Sequence, residues 1–137
     1  MRTVADAEGR RYLLRKQSSE AWLVRDPETG EEHHRPASEL SVVEDESPLE
    51  TAARGVPDAV KRDLNLPGER AFGLLAEIRR RGPVGVRTLL SSYDLCESDL
   101  HGLLGEFVAA GLVAETQVVG ERGYELTEAL RAAWPRD

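Results

Sequence analysis

At 137 residues the chain is long enough for one ordinary domain or for two small ones. It contains only two lysines and has a formal net charge of −7. This composition is typical of proteins that work at high salt. In such proteins the whole surface is acidic, so only local basic patches indicate nucleic-acid binding. No apolar run approaches the roughly 20 residues of a membrane-spanning helix, so we expect a cytoplasmic protein with no membrane partner.

The first 45 residues alternate strand-like runs with turn signals. Arg10–Gln17 and Ala21–Asp26 are rich in aromatic and branched residues, and the sequence DPETGE at Asp26–Glu31 places Pro and Gly where a hairpin turn needs them. We predict a small β-rich domain over residues 1–45, a meander of three to five strands. The core face of this sheet is expected to carry Tyr12, Leu14, Trp22 and Val24.

A helical linker is predicted over residues 46–68. Ser47, Pro48 and Glu50 have the spacing of an N-cap, a first helical residue and the returning acid of a capping box, so a helix should begin there. A glycine and a proline then interrupt the helix. The run Pro57–Leu64 predicts a second short helix.

Residues 69–137 contain three amphipathic helices in series. Three apolar quartets have the i, i+3, i+4, i+7 spacing of a helix face: Ala71, Leu74, Leu75 and Ile78; Val86, Leu89, Leu90 and Tyr93; Leu100, Leu103, Leu104 and Phe107. The pair Gly82-Pro83 separates the first two, and only a few residues separate the last two, as a helix-turn-helix requires.

A hairpin and a closing helix follow the third quartet. Two strand-like runs surround a turn placed at Gly120–Gly123, and Thr127 is positioned to cap a last helix that ends near Trp134. The sequence therefore predicts an α+β protein, with an N-terminal β-meander followed by a winged helix-turn-helix domain.

Three segments carry a family resemblance: LLAEIRRRGPVGVRTLL, CESDLHGLLGEFVAAGLV and GERGYELTE. They resemble the winged-helix domains of prokaryotic transcription regulators of the MarR and ArsR type, over about half of the chain. The whole chain also resembles small winged-helix proteins of haloarchaea. The first resemblance implies a dimeric regulator that binds duplex DNA through its third helix and its wing.

The third predicted helix departs from that pattern, because it carries no Arg or Lys to contact DNA. If its quartet points inward, a stripe of small residues points outward, with His101 on one flank and Glu106 on the other. The stripe consists of Ser98, Gly102, Gly105 and Ala109. Each interior glycine costs a helix about 1 kcal/mol relative to alanine. Such a face suits close packing on another surface or on a phosphate backbone; the alternative is a solvated face in which the glycines are merely tolerated.

Basic residues outside that helix are candidate phosphate contacts. Arg79, Arg80 and Arg81 end the first of the three helices, where the alternative is that they only stabilise the helix dipole. Two further arginines complete the set. Arg87 opens the second helix and Arg122 is predicted at the tip of the wing; the predicted DNA-binding set joins them with Ser98, His101 and Gly102. The leading hypothesis is a transcription regulator that binds duplex DNA. The alternative is a non-catalytic protein-interaction module that uses the small-residue face to bind a partner or a second copy.

Catalytic and metal chemistry are not expected. The single cysteine, Cys96, precedes the third helix, where a lowered thiol pKa would make it a redox sensor, although a lone cysteine more often packs as a small hydrophobe. His33, His34 and His101 form no recognised ligand spacing with it. No nucleophile comes with a base and an orienting partner. We therefore predict no enzyme activity, no metal and no cofactor.

Overall fold

The computed structural model describes residues 1–93 and 95–134. An N-terminal antiparallel sheet of five strands is followed by helices and a second sheet of three strands. The predicted α+β class, with its N-terminal meander, is therefore confirmed. The chain divides into two compact units, one from Met1 to Ala76 and one from Glu77 onward, and the division falls within a helix.

The first unit is built on five strands: β1 (Arg2–Ala5), β2 (Arg11–Gln17), β3 (Ala21–Arg25), β4 (Glu32–Pro36) and β5 (Ser41–Val42). β1 to β4 form the meander, and β5 returns to pair with β1. The turn predicted at DPETGE joins β3 to β4. Asp26 closes this turn, since its carbonyl accepts from the Gly30 N–H at 2.8 Å and its carboxylate accepts from the Glu28 N–H at 2.9 Å.

One face of the five-stranded sheet carries a hydrophobic core. Its buried members are Val4, Tyr12, Leu14, Val24 and Leu40, with Trp22 and Val42 partly buried against them. The prediction that Tyr12, Trp22 and their neighbours share this face is confirmed. His33 meets the edge of the Tyr12 ring at 6.2 Å between centroids, whereas His34, the next residue in the strand, belongs to the opposite face.

Two short helices follow the sheet, α1 (Pro48–Ala52) and α2 (Asp58–Asp63). The predicted capping box is confirmed: the Ser47 hydroxyl accepts from the Glu50 N–H at 3.2 Å, and the Glu50 carboxylate accepts from the Ser47 N–H at 3.3 Å. α1 packs on β1 and β2. A 3-10 helix, Ala37–Glu39, connects β4 to β5.

A chain of polar side chains links α1 to β1. The hydroxyl oxygens of Thr3 and Thr51, both on buried residues, lie 2.7 Å apart. The Thr51 hydroxyl donates to Glu46, so Thr3 must donate to Thr51. Burial would raise the pKa of Glu46, but hydrogen bonds from Arg54 and Thr51 outweigh it and hold that pKa below its ordinary value.

The second unit has the element order of a winged helix-turn-helix. Helix α3 (Glu69–Arg81) ends in it, and the elements that follow are β6 (Val84–Gly85), α4 (Val86–Ser92), α5 (Glu97–Ala109), β7 (Val113–Val118), β8 (Glu121–Leu126) and α6 (Glu128–Ala133). The sheet order is β6-β8-β7. Thr127 caps α6 as predicted, since its hydroxyl accepts from the Leu130 N–H at 3.3 Å.

The predicted apolar quartets supply the buried sides of α3, α4 and α5. All four residues of the first quartet are buried, and those of the second and third are buried or partly buried. α4 ends one residue before Tyr93, which is its C-cap. None of the helices in the described part of the chain combines the length and apolarity needed to cross a bilayer.

Candidate interaction surface

Helix α5 is oriented as its periodicity predicts. Leu100, Leu104 and Phe107 are almost fully buried, whereas Ser98, Gly102, Gly105 and Ala109 are exposed. A Cβ added at Gly102 or Gly105 would meet no atom within 4 Å. The fold of the second unit therefore does not require glycine at either position.

Acidic side chains border this small-residue face on both flanks. At 100° per residue, Glu97 lies on the flank of His101, and Asp99 lies on the flank of Glu106. All four residues are exposed. The His101 Nε2 atom lies 3.8 Å from a Glu97 carboxylate oxygen. Because α5 contains no Arg or Lys, this surface opposes the approach of phosphate groups.

The N-terminus of α4 already holds a carboxylate of the protein itself. Glu121, the first residue of β8, accepts a hydrogen bond from the Arg87 N–H at 2.8 Å. A Cβ at Gly85 would lie 2.3 Å from the same carboxylate oxygen, so a glycine at the N-cap makes room for it. Backbone N–H groups at helix N-termini are common phosphate ligands. Here the Arg87 N–H group is already hydrogen-bonded to Glu121 of the same chain.

Two of the predicted site residues, Arg87 and Arg122, are brought into one region by this contact. Arg122 follows Glu121 in β8, and its Nε atom lies 3.0 Å from a Glu115 carboxylate oxygen. The Arg87 side chain is exposed and its guanidinium forms no ion pair with any residue that the structure describes. The other three predicted residues, Ser98, His101 and Gly102, lie on α5.

The turn of the wing is shorter than predicted, and Arg122 is not at its tip. The chain reverses at Val119 and Gly120, which have φ angles of 27° and 76°, and Arg122 lies opposite Gln117 within the β7–β8 ladder. Gly123 is a strand residue in β8. A Cβ there would lie 2.4 Å from the Val118 side chain. The second glycine of GERG thus permits close packing rather than a turn. Val119 is left fully exposed at the tip.

Other arginines of the second unit have structural contacts. Arg81 donates to Glu77 at 3.1 Å and to the Ser92 hydroxyl at 2.9 Å, and Arg131 pairs with Glu125 at 2.8 Å. Arg79 lies over the Trp134 ring, with its guanidinium carbon 4.6 Å from the centroid. Arg79 and Arg81, at the end of α3, are therefore engaged in contacts within the second unit.

Cys96, the candidate redox residue, is the exposed N-cap of α5. Its sulfur lies 3.4 Å from the Ser98 hydroxyl oxygen and makes no capping hydrogen bond. A redox role stays a prediction. Within residues 1–93 and 95–134, no three His, Cys, Asp or Glu side chains come together as metal ligands.

Comparison with known proteins identifies a family and no activity. The model of the family described as "Family of unknown function (DUF7346)" matches residues 1–135. No curated protein and no solved structure matches the chain. Function must therefore be argued from the geometry and charge of the surface itself.

Proposed function

The chain belongs to this family of unknown function, and we propose that it is a cytoplasmic, non-catalytic interaction module whose α5 face binds a basic segment of a partner protein. One observation carries the proposal. The outward face of α5 is a stripe of small residues between two acidic flanks, and its glycines serve no packing need of the chain's own fold.

Each feature of this face fits a helical or extended partner. Helix interior glycines cost stability, and Gly102 and Gly105 have open space around them, which allows a second backbone to approach closely. The flanking carboxylates of Glu97, Asp99 and Glu106 provide charge complementarity for Lys or Arg side chains on both sides of the contact. A second copy of this acidic helix would bring like charges together, so a basic partner is favoured over self-association.

Duplex DNA is the second candidate ligand, which would make the chain a transcription regulator. The exposed guanidinium of Arg87, unpaired among the described residues and close to the wing, favours it. The electrostatic surroundings oppose it, since Arg122 is paired with Glu115 and the α4 N-terminus holds Glu121. We therefore rank a basic protein segment first and DNA second.

Replacing Gly102 and Gly105 by alanine should change the stability of the chain and its partner binding in opposite directions. Together the two changes should raise the free energy of unfolding by up to about 1 kcal/mol per site. They should also weaken partner binding at least about fivefold, because two added methyl groups hold the surfaces apart at a cost of roughly 1–3 kcal/mol. The partner would be identified by crosslinking to α5, and its basic segment would be synthesised as a peptide. Fluorescence anisotropy at the salt concentration of the native cytoplasm would then measure the affinity of the parent chain and of the variant for this peptide.

A pair of charge variants controls for general surface acidity. Glu106→Gln removes an acid from the flank of α5, whereas Glu128→Gln removes an exposed acid from α6. Only Glu106→Gln should weaken binding. If the glycine variant is stabilised and binds the segment as tightly as the parent chain, the proposal is wrong.

The DNA candidate makes a different prediction. Arg87→Gln and Arg122→Gln should each weaken duplex binding for all sequences, and should each lower the slope of log affinity against log salt by about 1. Anisotropy with the chain's own promoter and with random duplex measures both quantities. Arg131→Gln, an exposed arginine on α6, is the matched control. Promoter binding no tighter than that of random duplex would exclude a regulator of its own gene.

A further inference from the structure

Strand β7 forms an open edge of the second sheet. The sheet order is β6-β8-β7, so β8 lies along one side of β7, and no strand of the described residues lies along the other. All six residues of β7 pair with β8 in one continuous register, without a bulge. Ala114, Glu115 and Gln117 are exposed. β7 is also longer than β4 and β5, the strands at the two edges of the first sheet.

Three residues of β7 direct their backbone groups away from β8. The two-residue turn of the wing is closed by Val118 and Glu121, and the residues that close such a turn are hydrogen-bonded to each other. Hydrogen-bonded pairs alternate along an antiparallel ladder. The N–H and C=O groups of Val113, Glu115 and Gln117 therefore point outward. Among the described residues, these groups have no backbone partner.

This edge lacks the features that keep many edge strands from pairing. Proteins protect such edges with lysine, proline, bulges or charged side chains. β7 contains neither lysine nor proline, and its one charged residue, Glu115, pairs with Arg122 at 3.0 Å. By contrast, β4 ends in Pro36 and carries Glu32 and Arg35. The backbone of β7 is therefore open to a further strand.

We infer that β7 pairs with β7 of a second copy of the chain, in antiparallel orientation, about a two-fold axis at Thr116. The outward residues must hydrogen-bond to one another, so Glu115 of each copy lies opposite Gln117 of the other. Thr116 then faces its own counterpart, and Thr–Thr pairs across strands are favourable. The two three-stranded sheets become one sheet of six strands, and the symmetry closes the assembly as a dimer.

Charge selects this register over its neighbours. An axis at Glu115 would place two carboxylates directly opposite each other, which is destabilising. An axis at Gln117 would set Glu115 against Val119, which lies in the turn at positive φ and outside the strand. At Thr116, by contrast, each Glu115 faces an uncharged amide. The edge thus matches its own sequence, which favours a second copy over an unrelated extended segment.

Charged variants of Thr116 test the axis, because a residue on a two-fold axis faces its own copy. Thr116→Glu and Thr116→Lys should each weaken self-association about fivefold, since either charge would meet itself. Thr116→Gln matches the glutamate variant in size without its charge, and it should retain the parent affinity. Sedimentation equilibrium measures these affinities at the lowest salt concentration at which circular dichroism shows a folded chain.

An equimolar mixture of the Thr116→Glu and Thr116→Lys variants gives the decisive result. Opposite charges then face each other across the axis, so the mixture should associate at least as tightly as the parent chain, whereas mixing would not repair a folding defect. A parent chain that sediments as a monomer at millimolar concentration, or a mixture that associates no better than each variant alone, would overturn the inference. This edge is separate from the α5 face, and either proposal can fail without the other.

Discussion

Replacing Gly73 by alanine is expected to lower the free energy of unfolding by about 3 kcal/mol or more. Gly73 lies in α3, where a Cβ would stand 1.8 Å from the Leu49 carbonyl oxygen and 2.6 Å from its carbon. Both are backbone atoms of α1, so no side-chain rotation can relieve the overlap. α1 or α3 would have to move, and the packing of the first unit with it. Urea denaturation of the full chain measures the loss.

A glycine-to-alanine substitution in α5 should instead raise the free energy of unfolding. Gly105→Ala places a methyl group in open space, so the gain in helix propensity, up to about 1 kcal/mol, should raise stability. The two variants make the same chemical change in helices of equal length, so their difference isolates the close approach of Leu49 to Gly73. Equal stability of the two would show that α1 does not contact α3 as described.

Periodicity and capping predicted most of the helices because these signals are local. The capping box at Ser47 and the cap at Thr127 needed only a few neighbouring residues, and both were confirmed. The short strand β6 was missed, since two residues are too few to show any alternation. It exists because Val84 pairs with Tyr124, some forty residues further along the chain.

The wing turn was misplaced for a related reason. Glycine is the commonest signal of a turn, so GERG was assigned to one, and the preceding Val119 was assigned to a strand. The structure places Val119 at positive φ, which a β-branched residue rarely adopts. The close contacts of Gly123 with the Val118 side chain and the Val84 carbonyl oxygen explain the second glycine, and those contacts cannot be foreseen without the register of the strands.

The candidate surface could be predicted in part. The outward residues of α5 followed from 100° per residue, and their exposure agrees with that geometry. The contact of Glu121 with the N-terminus of α4 could not, because it joins residues 34 positions apart. That contact matters for function, since it places an acid where a nucleic-acid ligand would need a donor.

Replacing Phe107 by alanine is expected to cost about 3–5 kcal/mol of unfolding free energy. Phe107 is 0% exposed in α5, so the change would leave a cavity that close-packed neighbours fill only in part. Denaturation followed by circular dichroism would report the loss for the second unit.

The neighbouring residue supplies the control and ties this measurement to the proposed binding face. Val108 is 45% exposed, so Val108→Ala removes little buried area, and alanine has the higher helix propensity. We expect a change within about 0.5 kcal/mol. A large loss at 107 beside a negligible one at 108 fixes the rotation of α5, because adjacent helix positions differ by 100°. The reverse result would turn Gly105 toward the interior and break up the face on which the partner proposal depends.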